Sequence, residues 1–242
     1  MNNNLFELKE SYKQQPYFET PEHQPIVAWK RNLTHAIVSV SFSPLTKRRN
    51  QILKRFCDLV VSIVVSIGLL LWLLPLLALF IKIDSPGPIF FVQKRNKRNG
   101  KLFYCLKLRT MIVNKDADTL TAIVNDQRIT ALGKFLRRSH LDELPQFINV
   151  LLGDMSLIGP RPHMFVENVR YKEIFSSYHQ RQAVKPGITG LAQSLGYHGP
   201  ITDYTQIEKK IKFDLFYINN WSFLLDVKIL IKTISVIYRK FI

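Results

Sequence analysis

The residues with the clearest capacity for chemistry are two adjacent carboxylates, Asp142 and Glu143. Pro145 has no N–H to donate, and only the first turn of a helix tolerates that loss, so a helix is predicted to begin at Leu141 or Asp142. Both carboxylates would then lie in its first turn, where the helix dipole favours negative charge. An ionised carboxylate can act as a nucleophile, and a neighbouring carboxylate can hold a divalent cation.

Basic residues suited to phosphate lie on three other segments. Arg137 and Arg138 precede the acidic pair, and guanidinium groups bind phosphate oxygens with forked donors. Lys107 and Arg109 share one face of a predicted strand, and Arg161 lies between two prolines that fix the backbone. Helix capping, a solvated strand face and an ordinary rigid loop would explain each group taken alone. Together, the groups favour a doubly anionic substrate and a metal ion.

A membrane helix must position this chemistry. Leu59 to Ile81 is a run of 23 residues without a charge, long enough to cross a bilayer core of about 30 Å. Basic clusters flank both ends, although basic residues remain preferentially on the cytoplasmic side of a membrane. We therefore predict a re-entrant helix broken at Pro75, with a straight crossing as the alternative. Asp58, at the boundary of the run, is expected to pair with Arg55 on the same helix face.

The remaining elements predict an α+β fold. Strands at 89–93 and 102–108 form a small hairpin, because Asn99 and Gly100 between them tolerate positive φ. Four helical segments follow, within 128–138, 143–152, 165–175 and 206–239. The pattern divides the chain into an N-terminal extension (1–50), a membrane helix (51–83) and a catalytic domain (84–242). The extension has one candidate strand at 36–42 and no assigned role.

Composition narrows the class of partner. The net charge of +16 suits nucleic acid, anionic lipid or a phosphate-bearing substrate, and the membrane segment favours the last two. No aromatic–basic RNA motif or helix-turn-helix occurs, so no nucleic acid partner is expected. The two cysteines have neither disulfide nor zinc spacing, which fits a reducing compartment. Aromatic and basic residues near the C-terminus suit either amphipathic interfacial helices or core packing with a solvated lysine face.

From about residue 53 onward the chain resembles the bacterial sugar transferases, which are monotopic phosphoglycosyl transferases. The resemblance rests on ordered motifs, namely Lys54-Arg55-x-x-Asp58, Ser85-Pro-Gly-Pro-Ile-Phe-Phe-x-Gln93, Lys107-x-Arg109-Thr-Met111, Leu141-Asp-Glu-Leu-Pro-Gln146, Asn149-Val150, Gly153-Asp-Met-Ser-Leu-Ile-Gly-Pro-Arg-Pro162, Lys185-Pro-Gly-Ile-Thr-Gly-Leu-Ala-Gln193 and Asp214-x-x-Tyr217. The family often has Phe in place of Leu108 and a Val-Asn-Gly-Arg-like sequence in place of 194–198. The resemblance therefore does not transfer a sugar specificity.

The resemblance implies a two-step transfer that initiates surface polysaccharide or glycoconjugate assembly, such as exopolysaccharide, capsule or lipopolysaccharide. Asp142 would attack a nucleotide-activated sugar, for which we expect a UDP-sugar, and hold the sugar phosphate covalently. Polyprenyl phosphate would then accept it. Glu143, with Asp142, would bind Mg²⁺, while Lys107, Arg137 and Arg161 would contact phosphates or organise the acidic pair.

The resemblance also implies a re-entrant helix and a catalytic domain on the cytosolic face of the bacterial inner membrane, among its lipids. Homo-oligomer formation is left open. Two other readings are a membrane anchor that presents a basic binding module without chemistry, and an inactive relative that serves as a scaffold.

Overall fold

A computed structural model describes residues 43–123, 125–199 and 204–239. The longest element is a helix, α1 (Arg48–Asp84), and the hairpin strands β1 (Phe90–Asn96) and β2 (Leu102–Leu108) follow it. The next elements in chain order are α2 (Ala131–Ser139), α3 (Gln146–Leu151), β3 (Ser156–Ile158), α4 (Phe165–Ile174), β4 (Gly187–Thr189), α5 (Leu191–Ser194), α6 (Tyr204–Asn219) and α7 (Phe223–Tyr238). The mixed fold with a small hairpin agrees with the prediction. The candidate strand at 36–42 lies outside the described residues.

Helix α1 is long and apolar enough to cross a membrane, and it begins three residues before the predicted start. Pro75 lies inside its second α-helical part, Leu71–Asp84, and does not end the helix. The irregular turn is a π-helical segment upstream, Ser66–Leu70. Such turns are single-turn bulges within α-helices. We predicted a break at Pro75. The structure instead has a local change from α-helical to π-helical hydrogen bonding at Ser66–Leu70, before the proline.

Both ends of α1 are attached to the rest of the chain. At the N-terminal end, Arg55 donates to the carbonyls of Val150 (2.6 Å) and Leu151 (2.9 Å), at the C-terminus of α3. Asp58 accepts from the Ser156 hydroxyl (3.0 Å) and the Leu157 N–H (2.9 Å). The predicted Arg55–Asp58 pair is thus wrong. Arg55 instead binds the last carbonyls of α3, which have no partner within that helix, and the buried Asp58 carboxylate instead accepts two hydrogen bonds from β3.

At the other end, Leu77 and Ile81 pack with Leu108 of β2 and Leu136 of α2. Arg109 closes this end by donating to the carbonyls of Ile81 (3.1 Å), Ser85 and Pro86 (2.9 Å). A cation is favourable at a helix C-terminus, because the last carbonyls there have no partner in the helix.

The β-hairpin has the predicted turn. Asn99 (φ 60°) and Gly100 (φ 73°) both adopt the left-handed conformation that joins β1 to β2. Asn149 fixes the hairpin to α3, because its side chain accepts from the Leu106 N–H (2.9 Å) and donates to the Tyr104 carbonyl (2.8 Å).

The main core lies beneath α4, α6 and α7, where large side chains such as Phe175, Tyr178 and Ile218 are fully buried. A three-residue break separates α6 from α7, so the single helical stretch predicted at 206–239 is two helices. Ser222 caps the second by accepting from the Leu225 N–H (3.1 Å). Outward-facing apolar side chains remain on α7, namely Phe223, Leu224, Ile231, Ile234 and Tyr238. Helix α7 thus packs in the core with one face and leaves an apolar face exposed.

A parallel pair of short strands was not predicted. Ser156 of β3 pairs with Gly187 of β4, and Ile158 pairs with Thr189. Three-residue strands are too short to show an alternating pattern, which explains their absence from the prediction. They matter because the loop that carries Arg161 leaves directly from β3.

Candidate active site

The acidic pair lies in a one-turn 3₁₀ helix, Leu141–Glu143, and not in the first turn of an α-helix as predicted. The backbone bonds here join each residue to the third one before it, as in Leu144 N–H to Leu141 O (3.2 Å) and Ile148 N–H to Pro145 O (3.0 Å). Pro145 has no N–H to continue an α-helical ladder, so α3 starts only at Gln146. The charge of the pair is therefore balanced by side chains more than by a helix dipole.

Glu143 is held by two cations. Lys107 of β2 donates to its Oε1 (2.7 Å), and Arg161 donates to both oxygens, with Nη1 2.9 Å from Oε2. The side chain is 9% exposed. Burial would raise the pKa of Glu143, but Arg161 and Lys107 outweigh it and hold that pKa well below its usual range. Glu143 is thus a permanent carboxylate in a paired site.

Asp142 has a different environment, although it is equally buried. No described residue donates a hydrogen bond to its carboxylate, and 6% of the residue is exposed. Burial raises its pKa to about 6, with Glu143 adding to the rise and Lys107, Arg137 and Arg161 opposing it. When the pKa of one carboxyl group is raised and that of its neighbour is lowered, the two groups commonly have different roles in a reaction. Asp142 is the one whose oxygens are open to a reacting group.

The loop that carries Arg161 is fixed from several sides. Its flanking backbone pairs with β4 through Gly159 N–H to Thr189 O (2.9 Å) and Gly187 N–H to Pro160 O (3.1 Å). Arg181 donates to the Arg161 carbonyl (2.9 Å), and Arg95 of β1 donates to the next carbonyl, that of Pro162. The Arg161 guanidinium is therefore placed against Glu143 by a rigid backbone, as the flanking prolines suggested.

A buried polar network supports the same loop. Arg181 is paired with Asp214 of α6 (2.7 Å, both side chains 4% exposed) and lies 3.2 Å from the Nδ1 of His163. Tyr178 in turn bonds to His163 (2.7 Å) and Asn168 (2.8 Å). His163 flanks the site in the sequence and is expected as a neighbour of it, whereas no pattern indicates Arg181, because its spacing from the site residues is irregular. Asp214 was named only through the resemblance.

The predicted phosphate-binding residues do not all lie beside the acidic pair. Lys107 and Arg161 contact Glu143, and Arg137, whose Nε donates to the Thr110 hydroxyl (2.7 Å), acts electrostatically on Asp142. Arg138 is exposed. Arg109 is buried and its guanidinium binds carbonyls at the end of α1, so we leave it out of the proposed phosphate-binding set.

The oxygen atoms of the pair fit a hard cation. Both oxygens of Asp142 and the remaining lone pair of Glu143 Oε2 can serve as ligands, and Mg²⁺ commonly uses one or two carboxylates together with substrate phosphates and water. No cluster of three or more His, Cys, Asp or Glu side chains occurs among the described residues. A site of this kind therefore depends on the substrate to complete it.

Residues 49–240 match the family model described as "Bacterial sugar transferase". A UDP-glucose:undecaprenyl-phosphate glucose-1-phosphate transferase of Xanthomonas campestris is 45% identical over 183 residues, which cover 74% of this chain and 37% of the relative. The exopolysaccharide production protein PSS of Rhizobium leguminosarum is 42% identical over 191 residues, covering 76% of this chain and 94% of the relative. An undecaprenyl-phosphate galactose phosphotransferase of Salmonella typhimurium is 38% identical over 215 residues, covering 81% of this chain and 42% of the relative. The chain spans less than half the length of the first of these relatives.

Proposed function

Because the chain belongs to the bacterial sugar transferase family, we propose that it transfers a sugar 1-phosphate from a nucleotide-activated sugar to polyprenyl phosphate. The donor we expect is a UDP-sugar, and the product is a lipid-linked sugar diphosphate that initiates surface polysaccharide assembly. Relatives named for glucose and for galactose both align here, so the sugar is left open. The observation that carries the proposal is the carboxylate of Asp142, which no described residue hydrogen-bonds, beside Glu143, which Lys107 and Arg161 hold.

In the first step, a carboxylate oxygen of Asp142 attacks the β-phosphorus of the donor. A bond forms between Asp142 and phosphorus, and the bond from phosphorus to the bridging oxygen breaks. The electron pair leaves with the nucleoside monophosphate. In the second step, an oxygen of polyprenyl phosphate attacks the same phosphorus and releases the carboxylate. The single open nucleophile at this site is suited to serving a soluble donor and a lipid acceptor in turn.

Charge neutralisation supplies most of what this chemistry needs from the protein, because phosphoryl transfer spreads charge over several oxygens. Lys107, Arg137 and Arg161 surround Asp142 and lower the cost of bringing an anionic phosphate to an anionic nucleophile. Asp142 and Glu143 would hold Mg²⁺, which supplies further charge neutralisation at the phosphates when bound. Loss of turnover in excess chelator, restored by added Mg²⁺, would support this metal, and full turnover in chelator would exclude it.

The test of the mechanism is covalent trapping. Purified protein incubated with a UDP-sugar and no acceptor should gain the mass of the sugar phosphate on the peptide that contains Asp142. Asp142→Asn should abolish both the adduct and release of UMP. Asp154→Asn is a matched control, because Asp154 lies in a partly exposed pair with Lys97 outside the site. Turnover by Asp142→Asn, or turnover only when both substrates are bound together, would refute the two-step route.

We also propose that α1 enters and leaves the membrane on the same side. Arg55 and Asp58 at one end contact residues at the end of α3 and in β3, and Ile81 at the other end contacts Arg109, just after β2. Asn149 joins β2 to α3, so both ends are attached to connected elements. A helix that crossed a bilayer would separate these contacts by the hydrocarbon core. The exposed side chains between the two ends are apolar, as with Val64, which suits a lipid environment.

The topology can be tested with single cysteines at exposed positions on either side of α1. Arg49→Cys and Lys101→Cys, each in a background without the native cysteines, should show the same reactivity towards a membrane-impermeant maleimide in intact cells. Opposite reactivity would establish a straight crossing. The apolar face of α7 is proposed to lie at the same membrane interface.

A further inference from the structure

Lys210 of α6 is a buried cation with no carboxylate partner among the residues that the structure describes. The residue is 9% exposed, and within that part of the chain its Nζ donates to one group, the Gly199 carbonyl, at 3.5 Å, the outer limit for a hydrogen bond. Lys54 and Lys107, by contrast, lie 2.8 and 2.7 Å from carboxylate oxygens. A buried ammonium without good partners is costly, so such a group is expected to have an anionic ligand during function.

The position of Lys210 connects it with the proposed active site. It precedes Asp214 by one helical turn, and Asp214 binds Arg181, which donates to the Arg161 carbonyl. Two hydrogen bonds thus join the next turn of α6 to the loop that carries Arg161. Lys210 therefore lies on the Arg161 side of the acidic pair.

The segment that accepts the weak bond from Lys210 also approaches the acidic pair. Gly199 ends a described stretch in which His198 has its ring 6.2 Å from that of His140, two residues before Asp142. Gly196 and Gly199 adopt positive φ, and no atom lies within 4 Å of the place a Cβ would occupy. The space beside Gly199 that a side chain would fill is therefore free of described atoms and can admit a ligand.

The proposed reaction leaves the negative charge of the departing group without a protein cation assigned to it. Arg161 and Lys107 are both occupied by Glu143, and they lie at the nucleophile. When the bond to the bridging oxygen breaks, the departing nucleoside monophosphate gains a negative charge. An additional cation on the leaving side would stabilise this charge.

Resting on the function proposed above, we propose that Lys210 binds the phosphate of the departing nucleoside monophosphate. In the free protein its ammonium makes the weak bond to Gly199 and no other hydrogen bond to a described residue. When the donor binds, the α-phosphate takes the place of that carbonyl. The electron pair released by the breaking phosphorus–oxygen bond then remains on an oxygen that Lys210 neutralises.

The titration of Lys210 gives the proposal a distinct signature. Burial lowers its pKa to about 8, and Arg161 adds to this effect. The charged and titratable groups that face it are Arg161, His163, Glu167, Arg181 and Asp214. Because a ligand phosphate needs the protonated form, the affinity for UMP should fall as pH rises above about 8. An arginine at this position would remain protonated and would not show that fall.

The experiment measures UMP binding by calorimetry with the full-length protein in detergent. Lys210→Gln should weaken binding about tenfold to a hundredfold, the range expected for one charge-assisted hydrogen bond. Lys210→Arg should recover most of the affinity and lose the alkaline decline. Lys212→Gln is the matched control, since Lys212 lies on the same helix, is 64% exposed and pairs with Glu208.

Each outcome decides a separate point. Unchanged UMP affinity in Lys210→Gln would overturn the assignment and leave the covalent transfer through Asp142 intact. If that variant does not fold, the same alkaline decline in the wild type and in Lys210→Arg would overturn the assignment. A wild-type protein that binds no UMP would overturn the uridine nucleotide donor together with the role of Lys210. Covalent trapping at Asp142 tests the transfer independently of all three.

Discussion

The buried pair of Arg181 and Asp214 should be the most sensitive support of the site. Asp214→Asn retains the shape of the side chain but leaves a guanidinium, 4% exposed, without its anion. Removing one partner of such a pair costs about 3–5 kcal/mol. A protein of this size loses about 2–4 °C of melting temperature per kcal/mol, so the variant should melt about 6–20 °C lower.

The consequence for activity follows from a second contact of Arg181. Its Nη2 holds the Arg161 carbonyl at 2.9 Å, and Arg161 holds Glu143, so a displaced Arg181 should also reduce turnover. The double variant Arg181→Met with Asp214→Leu removes both charges and should recover part of the stability without recovering turnover.

Thermal unfolding in detergent and release of UMP measure the two effects. Asp154→Asn is the control, because its pair with Lys97 has side chains 22% and 30% exposed and should contribute only about 0–1 kcal/mol. A melting temperature of Asp214→Asn within about 2 °C of the wild type, with normal turnover, would refute the role of the pair.

Two other predictions concern the hairpin and Asp142. Asn149→Ala should destabilise the protein by about 1–3 kcal/mol, because it leaves two backbone groups of β2 unpaired, and chemical denaturation that shows no loss would contradict this. The pKa of Asp142 is raised from 3.8 to about 6 on folding, so the folded state binds its proton more tightly and loses up to about 3 kcal/mol of stability as pH rises through that range. In metal-free protein, Asp142→Asn should therefore become progressively more stable than the wild type between about pH 4 and pH 6, and a difference in melting temperature that does not change with pH would contradict the shift.

The elements that could be predicted from the sequence are those determined by a few neighbouring residues. The positive φ angles of Asn99 and Gly100 fixed the hairpin turn, and the proline near the acidic pair limited where a helix could start. The type of that helix was predicted wrongly, because the 3₁₀ turn depends on which carbonyls the following N–H groups reach. Chain position alone does not determine that choice.

Side-chain partners were harder to predict. Arg109 has the same charge and strand face as Lys107, yet one closes the end of α1 and the other binds Glu143. The difference arises from which elements pack against each side chain, the turn with Glu143 in one case and the end of α1 in the other, and this is set by tertiary packing. The same is true of Arg181, whose importance comes from a residue 33 positions away in the chain.

The end of β2 has a consequence for the proposed function. Lys107 of β2 contacts the acidic pair, and Arg109, one residue beyond the strand, contacts the C-terminal end of α1. If α1 lies in the membrane as proposed, this short and rigid connection would fix the height of Asp142 above the lipid head groups. A polyprenyl phosphate could then reach Asp142 while its tail remains in the bilayer, and a spacer inserted between α1 and the hairpin should abolish transfer.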